Sequence, residues 1–100
     1  MADGLIIEFQ GVDRSQYEAV NEQLGIDMES GTGDWPVGML SHAAGTSDTG
    51  AFTVIEVWES QAAQGKFMES RLGPALGAAG VSAPSRITWV PLIAYHTSSE

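Results

Sequence analysis

Ala51-Phe52-Thr53-Val54-Ile55-Glu56-Val57-Trp58-Glu59-Ser60 is the stretch from which the fold of this chain is read. Val, Ile, Thr, Phe and Trp suit a pleated surface packed on both sides, and Ser60 is placed to cap a helix, so a central strand runs straight into a helix here. Glu56 alone breaks the apolar run. A carboxylate two positions from a Trp on the same strand face is either a solvated edge or the polar handle of a pocket.

Upstream, Thr46 to Gly50 is turn chemistry and joins the central strand to a second one, Val37 to Gly45, as a hairpin. With the turn centred on Asp48, His42 pairs with Val54 and Leu40 with Glu56, which puts His42, Glu56 and Trp58 on one face. A bulge would shift that register. Ile26 to Pro36 carries glycines and acidic residues without periodicity and is read as a loop. Before it, Asp13 with Gln16 three residues on, flanked by Val12 and Tyr17, marks a helix start. Tyr17, Val20 and Leu24 form the buried stripe of that helix, and Gly25 ends it. Gly4 to Gln10 is an apolar first strand with Glu8 near its end.

Downstream, a second helix runs from Ser60 through Phe67, Met68 and Leu72. Gly73-Pro74 is expected to break it and open a short new helix with Leu76 and Ala79 inward and Gly80 as terminator. After a loop from Val81 to Ser85, Arg86 to His96 is the last strand, placed at a sheet edge because Pro91 lacks a ladder donor. A polar tail, Thr97 to Glu100, follows.

With 100 residues the chain makes a single domain, residues 1 to 100. A net charge of −9 from only 4 Lys plus Arg repels phosphate backbones and anionic lipid, which argues against nucleic acid and acidic membranes. No apolar stretch approaches a membrane span, and Met1 to Gln10 has neither a basic start nor a small-residue cleavage site, so a cytoplasmic protein without a signal peptide is expected. The chain has no Cys, which agrees with a reducing compartment and removes thiol catalysis and Cys-ligated zinc.

The order strand, helix, strand, strand, helix, strand defines an α+β, ferredoxin-like βαββαβ fold: a four-stranded antiparallel sheet with two helices on one face. Both sheet faces are apolar. On the first strand Leu5, Ile7 and Phe9 oppose Ile6; on the third Phe52, Val54 and Trp58 oppose Ile55 and Val57; on the last Trp89, Ile93 and Tyr95 oppose Val90 and Leu92. Two helices cover only one face, so a homodimer is expected to cover the other.

Val57-Trp58-Glu59-Ser60-Gln61-Ala62 is similar to the strand-to-helix junction of the dimeric α/β-barrel proteins, which include the small antibiotic-biosynthesis monooxygenases. The resemblance covers nearly the whole chain in element order and length. Phe67 to Leu76, with Arg71-Leu72-Gly73-Pro74-Ala75-Leu76, looks more like a branch of uncharacterised bacterial members. The resemblance implies a pocket between sheet and helices, lined by Trp58. The cofactor-free polyketide oxygenases of the family carry an Asn four residues before that Trp and a Tyr six after it, where this chain has Val54 and Gln64. Haem-degrading members use an Asn on the first strand and a His on the second helix; Gly4 to Gln10 has no Asn and Ser60 to Ala79 no His.

His42, Glu56 and Trp58 are the candidate catalytic group. A His beside an enclosed carboxylate moves protons, or is simply structural. Trp35, Phe52, Phe67, Trp89 and Tyr95 are candidates to line an aromatic cavity for a flat ligand, or plain core and dimer interface. Glu8 is a further candidate carboxylate, more readily solvent-exposed, and His96 lies beside the polar tail. No His or carboxylate pair has metal-ligand spacing, so no metal site and no cofactor are expected. Two functions remain in view: a small cofactor-independent enzyme acting on an aromatic or polyketide-like molecule, by oxygenation or by proton-transfer cyclisation or isomerisation, and a dimeric ligand-binding or self-association module without catalysis.

Overall fold

The computed structural model describes residues 2–96, so the polar tail lies outside the described residues. Its elements are β1 (Asp3–Phe9), α1 (Arg14–Leu24), β2 (Ile26–Asp27), β3 (Thr32–Gly33), β4 (Met39–Thr46), β5 (Phe52–Trp58), α2 (Gln61–Phe67), a π-helical segment (Met68–Leu72), α3 (Gly73–Ala78) and β6 (Arg86–Pro91). The main sheet is antiparallel in the order β4-β5-β1-β6. That is the ferredoxin-like order expected from the chain, with the Pro91 strand at an edge.

Period-two alternation decides what each strand buries. Leu5, Ile7 and Phe9 of β1 face the helices together with Phe52, Val54 and Trp58 of β5, and all six are buried. From the helices, Val20, Leu24, Phe67 and Leu76 complete this core. Among the described residues nothing covers the opposite face, where Ile55 is 54% exposed and Val90 41%.

Local chemistry sets the ends of α1. The Asp13 carboxylate accepts from the Gln16 amide at 2.9 Å while Gln16 Oε1 accepts from the Asp13 amide at 3.1 Å, a complete capping box. Gly25, at φ 77°, closes the helix in the left-handed conformation anticipated for it. Ser60 caps α2 through the Ala63 amide.

Four expectations change. The β4–β5 turn centres on Thr49, not Asp48, because Ser47 N–H donates to the Ala51 carbonyl and a left-handed Gly50 completes the loop. His42 therefore stands opposite Glu56 rather than Val54, and Ala44 opposite Val54. The displacement of two residues leaves His42 on its expected face with Glu56 and Trp58, whereas Leu40, expected opposite Glu56, is 45% exposed. An irregularity between Met39 and Ser41 lets Met39 pair with Trp58.

The segment read as an unstructured loop contains the small β2–β3 hairpin, with Ile26 opposite Gly33. A Cβ on Gly33 would meet the Gly25 carbonyl, so only glycine permits this close approach. Arg71 ties the strap down: its Nη2 donates to the carbonyls of Leu24 and Asp34, both at 2.8 Å.

Gly73-Pro74 does not break the second helix. The chain stays helical from Gln61 to Ala78, because the Gly73 amide reaches back five residues to the Met68 carbonyl. The wider π turn accepts a proline whose ring and missing N–H an α turn would not tolerate. Gly73 fits closely there, since a Cβ would lie 2.9 Å from the Met68 oxygen.

The last strand ends at Pro91 rather than His96. Leu92 N–H instead donates to the Ala2 carbonyl, and Ile93 projects into solvent at 95% exposure. No helix among the described residues is long and apolar enough to cross a membrane.

Candidate functional site

The helix face of β5 offers Val54, Glu56 and Trp58, and β4 sets His42 across from Glu56. Trp58 Nε1 donates to Glu56 Oε1 at 2.8 Å, and His42 Nδ1 lies 2.9 Å from Glu56 Oε2. Both carboxylate oxygens thus receive a donor, which a charge buried this deeply requires; the His42 and Glu56 side chains are only 10% and 6% exposed. A carboxylate at Nδ1 places the ring proton there and leaves Nε2 as an acceptor. Tyr17, from the inward stripe of α1, brings its hydroxyl to 2.5 Å from that Nε2. A chain of four side chains results: phenol, imidazole, carboxylate, indole.

Burial pushes the Tyr17 phenol above its ordinary value; the nearby Asn21 amide opposes this, and the negative Glu56 adds to it. The phenol therefore stays protonated at neutral pH and is both donor and acceptor. Met28, from the strap, touches it at 3.6 Å through sulfur. Trp35 packs its ring 5.4 Å from that of His42, at 52°, and is anchored by its Nε1 on the Gly31 carbonyl.

Between sheet and helices lies a cavity with about 60 Å³ open to the centre of a water molecule, room for a few waters or one small ring. Its polar wall is Tyr17, Asn21, His42 and Glu56; no Lys or Arg lines it. The remainder is apolar, and Trp35, Phe52 and Phe67 from the expected aromatic set border it. Trp58 does not line it. Fully buried, its ring lies 5.7 Å from that of Phe67, behind Glu56, whose carboxylate it holds.

Trp89 and Tyr95 are not brought to the cavity. Trp89 packs on the core from β6, and Tyr95 follows the strand end at 43% exposure. Glu8 occupies the opposite sheet face, 3.8 Å from Arg86, and His96 is exposed. Among the described residues no three His, Asp or Glu groups gather as a metal site would require.

Sequence reasoning missed the roles of Tyr17 and Asn21. Asn21 is 5% exposed on the inward face of α1, four residues from Tyr17, and its Nδ2 makes no hydrogen bond to a described residue. A polar amide inside the Tyr17-Val20-Leu24 stripe was the available signal.

No family model matches the chain, and no curated protein matches it by sequence. Solved structures similar in fold include the following two. A candidate antibiotic biosynthesis monooxygenase from Chloroflexus aurantiacus J-10-fl is 16% identical, covering 96% of this chain and 98% of that one, with a TM-score of 0.61. Rv0793 from Mycobacterium tuberculosis is 16% identical, covering 97% of this chain and all 100% of its own, with a TM-score of 0.67. The chain therefore shares the ferredoxin-like fold of these two structures, the fold expected from its order of elements.

Proposed function

We propose that this chain is one protomer of a homodimeric, cofactor-independent enzyme that moves a proton on a small, uncharged aromatic or polyketide-like molecule held in the cavity. The observation that carries this reading is the Tyr17–His42–Glu56 chain ending at the cavity wall. The Tyr17 oxygen accepts a substrate proton as the phenol passes its own to His42 Nε2, and Glu56 balances the imidazolium that forms. Substrate protonation runs the same steps backwards. Size favours a one-ring substrate; a three-ring compound enters only if the strap or helices move apart.

The dimer is supported by the uncovered face, where Ile6, Ile55, Val57 and Val90 adjoin across three strands. Closing two such faces gives a dimeric α/β barrel, each chain one domain, with a buried area of about 1,600 Å² or more. A cytoplasmic location fits the Cys-free, acidic composition.

A rival reading, a ligand-binding module without catalysis, is favoured by the completeness of the chain: every link already satisfies its neighbour. Proton exchange separates the two. Small one-ring molecules with an acidic C–H, incubated in D2O and followed by NMR, should lose that proton faster with the wild type than with His42→Ala or Tyr17→Phe. Equal rates for all three proteins would refute catalysis and leave binding alone.

A further inference from the structure

We infer that Asn21 is a ligand-positioning donor, which makes the ligand of this cavity an uncharged ketone whose carbonyl oxygen accepts from the Asn21 amide beside Tyr17. The inference rests on the proton-transfer reading for its chemistry but on separate residues for its binding. Asn21 is 95% buried, borders the cavity and carries an amide nitrogen without a hydrogen bond to a described residue. A buried donor left unpaired is costly, and an acceptor arriving in the cavity removes that cost. The Asn21 amide also lies close enough to the Tyr17 phenol to lower its pKa as a hydrogen-bond partner, and turning the amide over about its last torsion keeps its shape while exchanging nitrogen for oxygen.

The wall also decides the charge and type of that acceptor. With Glu56 on the wall and no Lys or Arg lining it, a carboxylate or phosphate finds repulsion and no counter-charge. The phenol proton is committed to His42 Nε2, which leaves the Asn21 amide as the free donor for a neutral oxygen. A carbonyl needs only that one donor and asks for no acceptor in return.

The step balances without any oxidant. The C–H bond next to the carbonyl breaks, and its proton goes to the Tyr17 oxygen as the phenol proton moves to His42 Nε2. The released electron pair becomes a C=C bond, and the carbonyl π pair moves onto oxygen, where the Asn21 N–H holds the growing charge. Return of the proton to the same carbon exchanges its hydrogen, and in a β,γ-unsaturated ketone, whose C=C joins the enolate, return to the γ carbon completes an isomerisation.

Acetophenone and α-methylstyrene, which differ only in C=O against C=CH2, form the test pair. Equilibrium binding, read by ligand-observed NMR, should favour acetophenone by roughly 5- to 100-fold in the wild type. Asn21→Leu should erase that preference while still binding α-methylstyrene. Equal affinities in the wild type, a preference that survives in Asn21→Leu, or no binding of either compound at millimolar concentration would each overturn the inference. The wild-type comparison stands even if the variant fails to fold. Deuterium uptake into the acetophenone methyl group is read in the same samples. A carbonyl preference without uptake supports the Asn21 assignment and sinks the catalytic reading; uptake without the preference does the reverse.

Discussion

The Tyr17 and His42 rings lie within 4° of parallel, with the phenol oxygen 2.5 Å from Nε2, so helix α1 delivers its hydroxyl to the imidazole. This contact joins residues 25 apart in the chain and turns an oriented His–Glu pair into a relay that reaches the cavity.

Raising the pH should unload the relay and the fold together. Folding raises the Tyr17 pKa above its ordinary 10.0, so the folded state holds this proton more tightly than the unfolded chain does. The associated stability is fully present below pH 10 and is lost as the pH rises through the folded value. Urea denaturation above pH 10 should therefore show a steeper fall for the wild type than for Tyr17→Phe. Parallel curves would remove the ionisation cost from Tyr17.

Glu56→Gln should separate stability from proton transfer. An amide at this position still accepts from Trp58 Nε1, but it must donate to His42 Nδ1, which forces the proton to Nε2 and leaves no acceptor for the phenol. Proton exchange should fall about 10²- to 10⁴-fold, as for His42→Ala, because neither variant offers the base. Stability should fall far less than in Glu56→Leu, where each stranded donor costs about 1–3 kcal/mol. Denaturant midpoints and exchange rates on the same preparations check both halves.

Oxygen consumption with quinol- and anthrone-like compounds should be absent or weak. Val54 contributes an aliphatic wall to the cavity, and Gln64 is buried on α2 without lining it. The Asn and Tyr of the polyketide oxygenases that the sequence resembles have no counterpart at these positions. An oxygen electrode decides this, and a robust rate would show that another donor set replaces them.

Gly73→Ala should destabilise the protein by about 1 kcal/mol, although the same change in a regular exposed helix gains about 0.5–1 kcal/mol. The added methyl has the Met68 carbonyl 2.9 Å away and no room to move past it. A gain in thermal midpoint would mean that the π turn relaxes to α geometry at no cost.

Ile55→Asp should split the proposed dimer. The side chain is 54% exposed at the centre of the bare sheet face, where an unpaired carboxylate in an apolar interface is costly. Light scattering at low micromolar concentration should report twice the chain mass for the wild type and a single chain mass for the variant. A wild-type monomer would leave Ile6, Ile55 and Val57 without the cover proposed for them.

Strand parity explains why the site was legible where it was. The turn lies one residue further along than Asp48, yet His42, Glu56 and Trp58 share a face, because an even displacement preserves the side on which a strand projects each residue. Tyr17 was recognised as helix stripe but not as a partner of His42, since that contact depends on how α1 crosses the sheet, a long-range geometry that local periodicity does not carry. Pro74 looked like a break because local signals describe the cost of proline in an α turn and are silent about a π turn that removes it. Tyr95 failed to reach the cavity for a similar reason: the strand ends at Pro91, and alternation counted beyond that point no longer describes a sheet.

The π turn also bears on how this chain is compared with others. Five residues, Met68 to Leu72, occupy the span that an α-helix fills with about one residue fewer. Against a relative whose helix is uninterrupted, a correct alignment therefore carries a one-residue gap inside this helix, a place where insertions are ordinarily disallowed. Without that gap Ala75 and Leu76 are matched to the neighbouring, outward positions, and agreement in the buried stripe is lost from there to the end of the helix.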